Sequence, residues 1–212
     1  MDELVARLHD ISEACPYEVR WHINDLRSDA TANRSGDDVI PSASTRKVAI
    51  MMTILRGVSE GRWELDETIP TTEAYQDGNF IGAILDALSP GLELTLRDHV
   101  VMMITLSDNV STGIIADRIG LDAVNDFCRD VGLSDTTHRD GIPSNDPGVS
   151  RDPMAGNTTT PNDQGLLLSK IVEGSRDEGA ARELGCTRDH CRLALRIMGR
   201  QKYKKRLPAL LP

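Results

Sequence analysis

Leu4, Val5, Leu8 and Ile11 recur at three- and four-residue intervals, which predicts an amphipathic helix over residues 2–14. Val19 to Leu26 alternates as a strand does, and Ser28 to Asp38 consists of polar turn-forming residues. Val39 and Ile40 end a second short strand before Pro41. From Ser44 the apolar positions Val48, Met51, Met52, Leu55 and Val58 return to helical spacing and stop near Gly61. After an irregular stretch, Phe80 to Leu88 reads as a helix that Pro90 and Gly91 break. Thr95 suits the N-cap of a helix carrying Val100, Met103 and Ile104 towards Ser107. Asn109 to Ile119 and Leu121 to Val131 follow as two helices, punctuated by Gly120 and Gly132. Residues 134–160 then lose all periodicity, and a run of that length inside a domain is usually functional or mobile. Helical spacing resumes from Asp163 to Gly174 and from Arg188 to Gly199, and no internal repeat appears. The pattern is α+β: an N-terminal helix with the first strands over 1–40, then a mainly helical block over 41–212.

The 212 residues suffice for a sizeable core and fall between one domain and two. With aromatics at only 3%, Leu, Ile, Val and Met must fill that core. A net charge of -9 works against nonspecific binding to nucleic acid, so the basic run Arg200 to Arg206 reads as a solvated helix face. No stretch approaches the roughly 20 apolar residues needed to cross a bilayer. Met1-Asp2-Glu3-Leu4 lacks the basic and apolar regions of a secretory signal, which sets the expectation of a cytoplasmic protein. Cys15, Cys128, Cys186 and Cys191 are accordingly expected as reduced thiols. Cys186, His190 and Cys191 invite a zinc reading, but a fourth ligand at a recognisable spacing is missing, and a helix with small buried residues is the plainer account. Neither a metal nor a cofactor is expected.

The chemistry concentrates in two short motifs. Ser44-Thr45-Arg46-Lys47 places an amine one helical turn from a hydroxyl, and Ser107-Asp108-Asn109 offers a second hydroxyl and an amide. A Ser-x-x-Lys occurs by chance roughly once in a chain of this size, whereas Ser-Asp-Asn is far rarer. Taken singly, Ser44 reads as a helix N-cap and Lys47 as a first-turn surface lysine. Taken together with Ser107 and Asn109, they read as a nucleophile, its base, a proton relay and a substrate-carbonyl donor. The backbone N–H of Ser44, at a helix start, suits a tetrahedral oxyanion. Asp108 reads as a brace for its loop. Trp21, Trp63 and His99 read as packing residues, and Arg139 as an ionic tie for the long loop.

These residues resemble the serine β-lactamases of class A and related penicillin-recognising serine hydrolases. The similarity continues through Leu88-Ser89-Pro90-Gly91, Leu94 to Asp98, Gly120 to Val124 and Asn157-Thr158-Thr159-Thr160-Pro161. It implies a β-lactamase-like α+β fold, with a mostly helical domain and part of an antiparallel sheet. It also implies acyl-enzyme formation on Ser44 with a small amide, ester or β-lactam, and it implies a substrate contact near Phe80 at the cleft mouth, although Phe80 by itself reads more simply as a core residue. Two features depart from that pattern. No glutamate occurs between Glu93 and Glu173 to activate the deacylating water, leaving Asp140, Asp146 and Asp152 as shorter stand-ins or ordinary turn aspartates. The Lys-Thr/Ser-Gly triplet of the family is also absent. Leu207 to Pro212 resembles the stretch just before it, which implies that a further segment or a second chain completes the sheet. Slow lactam turnover and a noncatalytic ligand- or partner-binding relative are the competing expectations.

Overall fold

The buried helix that begins at Lys47 organises the molecule. The structure is a computed structural model and describes residues 1–71, 84–141, 152 and 154–203. In chain order its elements are α1 (Asp2–Ala14), β1 (Trp21–Asp25), β2 (Ala30–Arg34), β3 (Ile40–Pro41), a 3-10 turn (Ala43–Arg46), α2 (Lys47–Ser59) and β4 (Thr68–Pro70). A second 3-10 turn (Leu85–Ala87), β5 (Glu93–Thr95), α3 (Leu96–Thr105), α4 (Asn109–Ile119) and α5 (Leu121–Asp130) follow. The chain continues through β6 (Thr158–Thr159), α6 (Pro161–Gly174), α7 (Glu178–Glu183) and α8 (Arg188–Met198).

Helix starts are marked by side-chain caps. Thr95, Asp108, Thr160, Asp177 and Thr187 each accept a hydrogen bond from a backbone N–H in the first turn of the helix that follows. Each such cap stabilises its helix by about 1 kcal/mol. Helix α2 is buried on nearly every side, as expected of a helix that is apolar all round. Ile50, Met51 and Leu55 on α2 share one core with Met103 of α3, Phe127 of α5 and Leu167 of α6. Each large side chain in it contributes roughly 1.5–3 kcal/mol by leaving water. A smaller cluster of Leu85, Val110 and Ile114 sits under the turn that precedes α4.

The strands form three two-stranded antiparallel ladders, β1–β2, β3–β6 and β4–β5. Trp21 stands opposite Arg34 and Asp25 opposite Ala30, so the polar segment expected to be a turn supplies a strand, β2. Pairing with β1 overrides its weak strand propensity. The expected second strand is present as β3, while its partner β6, the β4–β5 ladder and the six-residue helix α7 are additions to the expected elements. The expected helix from Phe80 to Leu88 lies outside the described residues over 80–83, and its described part holds a 3-10 turn.

The first turn of α6 is a meeting point. Asn162 accepts at Oδ1 opposite His22 Nδ1 (2.8 Å), donates its side chain to Asp37 (2.7 Å) and donates its N–H to Gly36 (2.9 Å). Gly165, one turn on, has no Cβ because the His22 ring occupies that space: a Cβ would stand 2.2 Å from its carbon. Among the described residues, no helix is long and apolar enough to cross a membrane.

Candidate active site

The backbone around Ser44 does the first part of the positioning. Ala43 holds φ +43° and opens the 3-10 turn, which leaves Ser44 exposed and sends Lys47 inward as the first residue of α2. Ser107 also sits in the left-handed region, at φ +56°. For a non-glycine residue that conformation costs about 1–2 kcal/mol, so the surroundings must enforce it. Asp108 does so from the next position. It is fully buried and its carboxylate accepts the N–H groups of Ser111 (2.8 Å), Ile84 (2.6 Å) and Leu85 (3.1 Å).

The four sequence-selected polar groups meet at this point. Lys47 Nζ donates to the Ser107 carbonyl (2.8 Å), to Ser107 Oγ (3.0 Å) and to Asn109 Oδ1 (2.8 Å). Ser107 Oγ in turn donates to Ser44 Oγ (2.9 Å). A continuous path Ser44–Ser107–Lys47 therefore exists, along which a proton can pass if both hydroxyl bonds reverse. Phe80 lies outside the described residues. A groove of about 220 Å³ opens beside the path, lined by Ser44, Lys47, Ser107, Met103, Met198 and Gln201 among others.

Lys47 is only 3% exposed, and burial pushes its amine down to about 8, with the neighbouring Arg46 charge adding to the effect and Asp108 opposing it. Roughly one amine in ten is then neutral at pH 7, enough for a base that must accept a proton.

A second buried cluster adjoins the other side of the nucleophile turn. Arg46 is 2% exposed and its guanidinium donates to the carbonyls of Asp140 (2.6 Å) and Gly141. Burial lowers its pKa to about 10, against the pull of Asp140. His138 is 3% exposed, and neither ring nitrogen makes a well-formed hydrogen bond. Burial and the Arg46 charge hold it down at about 4, with an Arg46 backbone group pulling weakly the other way.

The ends of the 134–160 segment are stapled together here. Asn157 Oδ1 accepts from the N–H groups of Arg139 (2.8 Å) and Asp140 (3.1 Å), and its carbonyl accepts from Ser42 (2.8 Å). Asn125 and His138 exchange two bonds of 2.8 Å each. Thr136 donates to Asp163 (2.7 Å), whose carboxyl burial shifts upward. Arg139 ties the segment by donating to the Gly156 carbonyl (2.6 Å) and Thr158 Oγ1 (3.1 Å) rather than, among the described residues, by an ion pair.

Sequence reasoning passed over Arg46, His138 and Asn157. The signal for Arg46 was two consecutive cations at the start of a helix that is otherwise apolar on all sides. Of the three candidate aspartates, Asp146 lies outside the described residues and Asp140 faces Arg46 through its backbone carbonyl. The Cys186 and Cys191 thiols are pushed up by burial to about 12 and about 11, and His190 closes the capping box of α8. Among the described residues, no group of three or more His, Cys, Asp or Glu is arranged to hold a metal ion. His99 is buried and bonded to Ser111 Oγ (3.2 Å) and the Ile69 carbonyl (3.1 Å).

No curated protein sequence matches the chain. The crystal structure of a β-lactamase from Sphaerobacter thermophilus DSM 20745 superposes with a TM-score of 0.84 at 29% identity, over 98% of this chain and 73% of that one. The structure of PBP-A gives a TM-score of 0.79 at 27% identity, over 98% and 72%. A PBP-A mutant, solved as an acyl-enzyme complex with penicillin G, gives 0.75 at 26% identity, over 96% and 71%. The model of the β-lactamase enzyme family matches residues 3–212, and the chain belongs to that family.

Proposed function

We propose that this chain is a serine hydrolase that forms an acyl-enzyme on Ser44 with a small amide, ester or β-lactam. Ser44 Oγ bonds to the substrate carbonyl carbon while its proton passes through Ser107 towards neutral Lys47. The tetrahedral oxyanion is met by the Ser44 N–H at the helix start. On collapse the bond from the carbonyl carbon to the leaving nitrogen, or to the leaving oxygen of an ester, breaks, and Ser107 returns the proton to that departing atom. Asn109 holds the substrate amide. Water then hydrolyses the ester and frees Ser44.

The observation that supports this reading is the unbroken path of 2.9–3.0 Å side-chain contacts from Ser44 through Ser107 to Lys47. The acyl-enzyme solved for the PBP-A mutant with penicillin G makes a lactam a fitting first probe. Because no glutamate occurs between Glu93 and Glu173, deacylation is expected to be slow and the lactam adduct long-lived. Intact-mass analysis after exposure to penicillin or a fluorophosphonate tests this. One adduct on the parent and none on Ser44→Ala is the expected result; an unmodified parent leaves the noncatalytic, ligand-binding reading. A further segment or second chain that completes the sheet is part of the proposal, since the Sphaerobacter structure extends over 27% of its length without counterpart here (100 − 73).

A further inference from the structure

Arg46 carries information that the proposed acylation does not use. A buried guanidinium is costly, and among the described residues this one has no carboxylate bonded to it. It spends its donors on two backbone carbonyls, those of Asp140 and Gly141, 94 and 95 residues away in sequence. Those carbonyls stand at the root of the 134–160 segment, beside the Asn157 staple. On its other side Arg46 is the covalent neighbour of Lys47. One residue thus touches both the nucleophile turn and the segment that faces it.

We propose that Arg46 is a positioning residue for the acylation assigned above: its guanidinium ties the root of the 134–160 segment to the nucleophile turn, and its permanent charge keeps the adjacent Lys47 available as a base. The tether favours an arginine, because its planar fork holds two successive carbonyls in one fixed geometry that a lysine's single nitrogen does not reproduce. The charge role needs only a cation. The charged groups facing Lys47 are Arg46 from its own turn and Asp108 from the turn before α4. The groove side contributes uncharged Met103, Met198 and Gln201. Asp108 favours the ammonium and Arg46 the free amine, so removing Arg46 leaves Asp108 unopposed. His138, which also faces Arg46, is neutral near pH 7 and adds no charge there.

This inference rests on the proposed function for its charge role and stands apart from it for the tether. Ser44 labelling by a fluorescent penicillin is followed from pH 6 to pH 10 in the parent, Arg46→Gln and Arg46→Lys. Trypsin cleavage within residues 134–160 is followed in parallel. Arg46→Gln is expected to move the acid limb of the labelling rate upward by about one pH unit, slowing labelling about tenfold at pH 7. Arg46→Lys is expected to keep the parental limb yet be cut at least tenfold faster. A limb unmoved in Arg46→Gln overturns the charge role, and parental cutting of Arg46→Lys overturns the tether. If Arg46→Gln does not fold, Arg46→Lys decides both: a limb displaced by a full pH unit in this charge-conserving variant overturns the charge role. A parent that takes no label overturns the proposed function and the charge role with it, while the trypsin comparison still judges the tether.

Discussion

The turn before α4 and the root of the 134–160 segment flank the same helix start, and each buries ionisable groups, but they satisfy them differently. At the turn, the buried carboxylate of Asp108 is surrounded by three backbone N–H groups from two separate stretches of chain. At the root, the buried Arg46 leans on carbonyls and the neighbouring His138 ring has no well-formed partner. A charge held by several backbone dipoles fixes geometry, whereas a group paid little for its desolvation is easily persuaded to change state. The turn is therefore the rigid flank, where Ser107 is forced into an unfavourable conformation. The root is the flank whose stability responds to pH and substitution.

The most direct way to break this contrast is Asp108→Ala. It strands three N–H groups and should cost about 3 kcal/mol in urea denaturation. A loss below about 1 kcal/mol would mean that the turn does not depend on its carboxylate. The next effect lies at the root. The folded state holds His138 near 4 against an ordinary value of 6.5, so the unfolded chain binds the extra proton between those limits. Stability present above pH 6.5 is lost as pH falls towards 4, about 2 kcal/mol of it by pH 4.5. His138→Leu should remove that share of the acid loss, seen as a smaller difference between denaturation midpoints at pH 7 and pH 4.5. An identical acid loss in the variant would show that the ring is hydrated in solution. The smallest effect sharpens the rigid side. Ser107→Gly relieves φ +56° and should gain about 0.5–1 kcal/mol in thermal unfolding while abolishing Ser44 labelling.

Much of the helical framework was legible because local rules govern it. Periodicity placed α1, α2, α4, α5 and α6 to within a few residues, and Thr95 caps α3 as its position suggested. What was not legible depends on partners remote in sequence. The Ala-Thr-Ala-Asn-Arg segment of β2 has no strand signature of its own and exists through its register with Trp21–Asp25. Thr158 and Thr159 form β6 only because Ile40 and Pro41 lie opposite. The site divides the same way. Ser44 and Lys47 are one turn apart and Ser107 and Asn109 straddle a cap, so short motifs reveal them. Arg46 reaches Asp140 and Gly141 across more than 90 residues, a link that no local spacing records.

The opening turn of α6 gives the molecule a shared bearing. Asn162 grips the β1–β2 hairpin and its flank, Asp163 accepts from the Asp135 N–H and the Thr136 hydroxyl, and the absent side chain of Gly165 admits His22. Hairpin and loop root are thus mounted on four consecutive residues of one helix, 162–165. Neither can slide or tilt without dragging that helix end, so strain imposed on the hairpin is delivered mechanically to the root of the 134–160 segment.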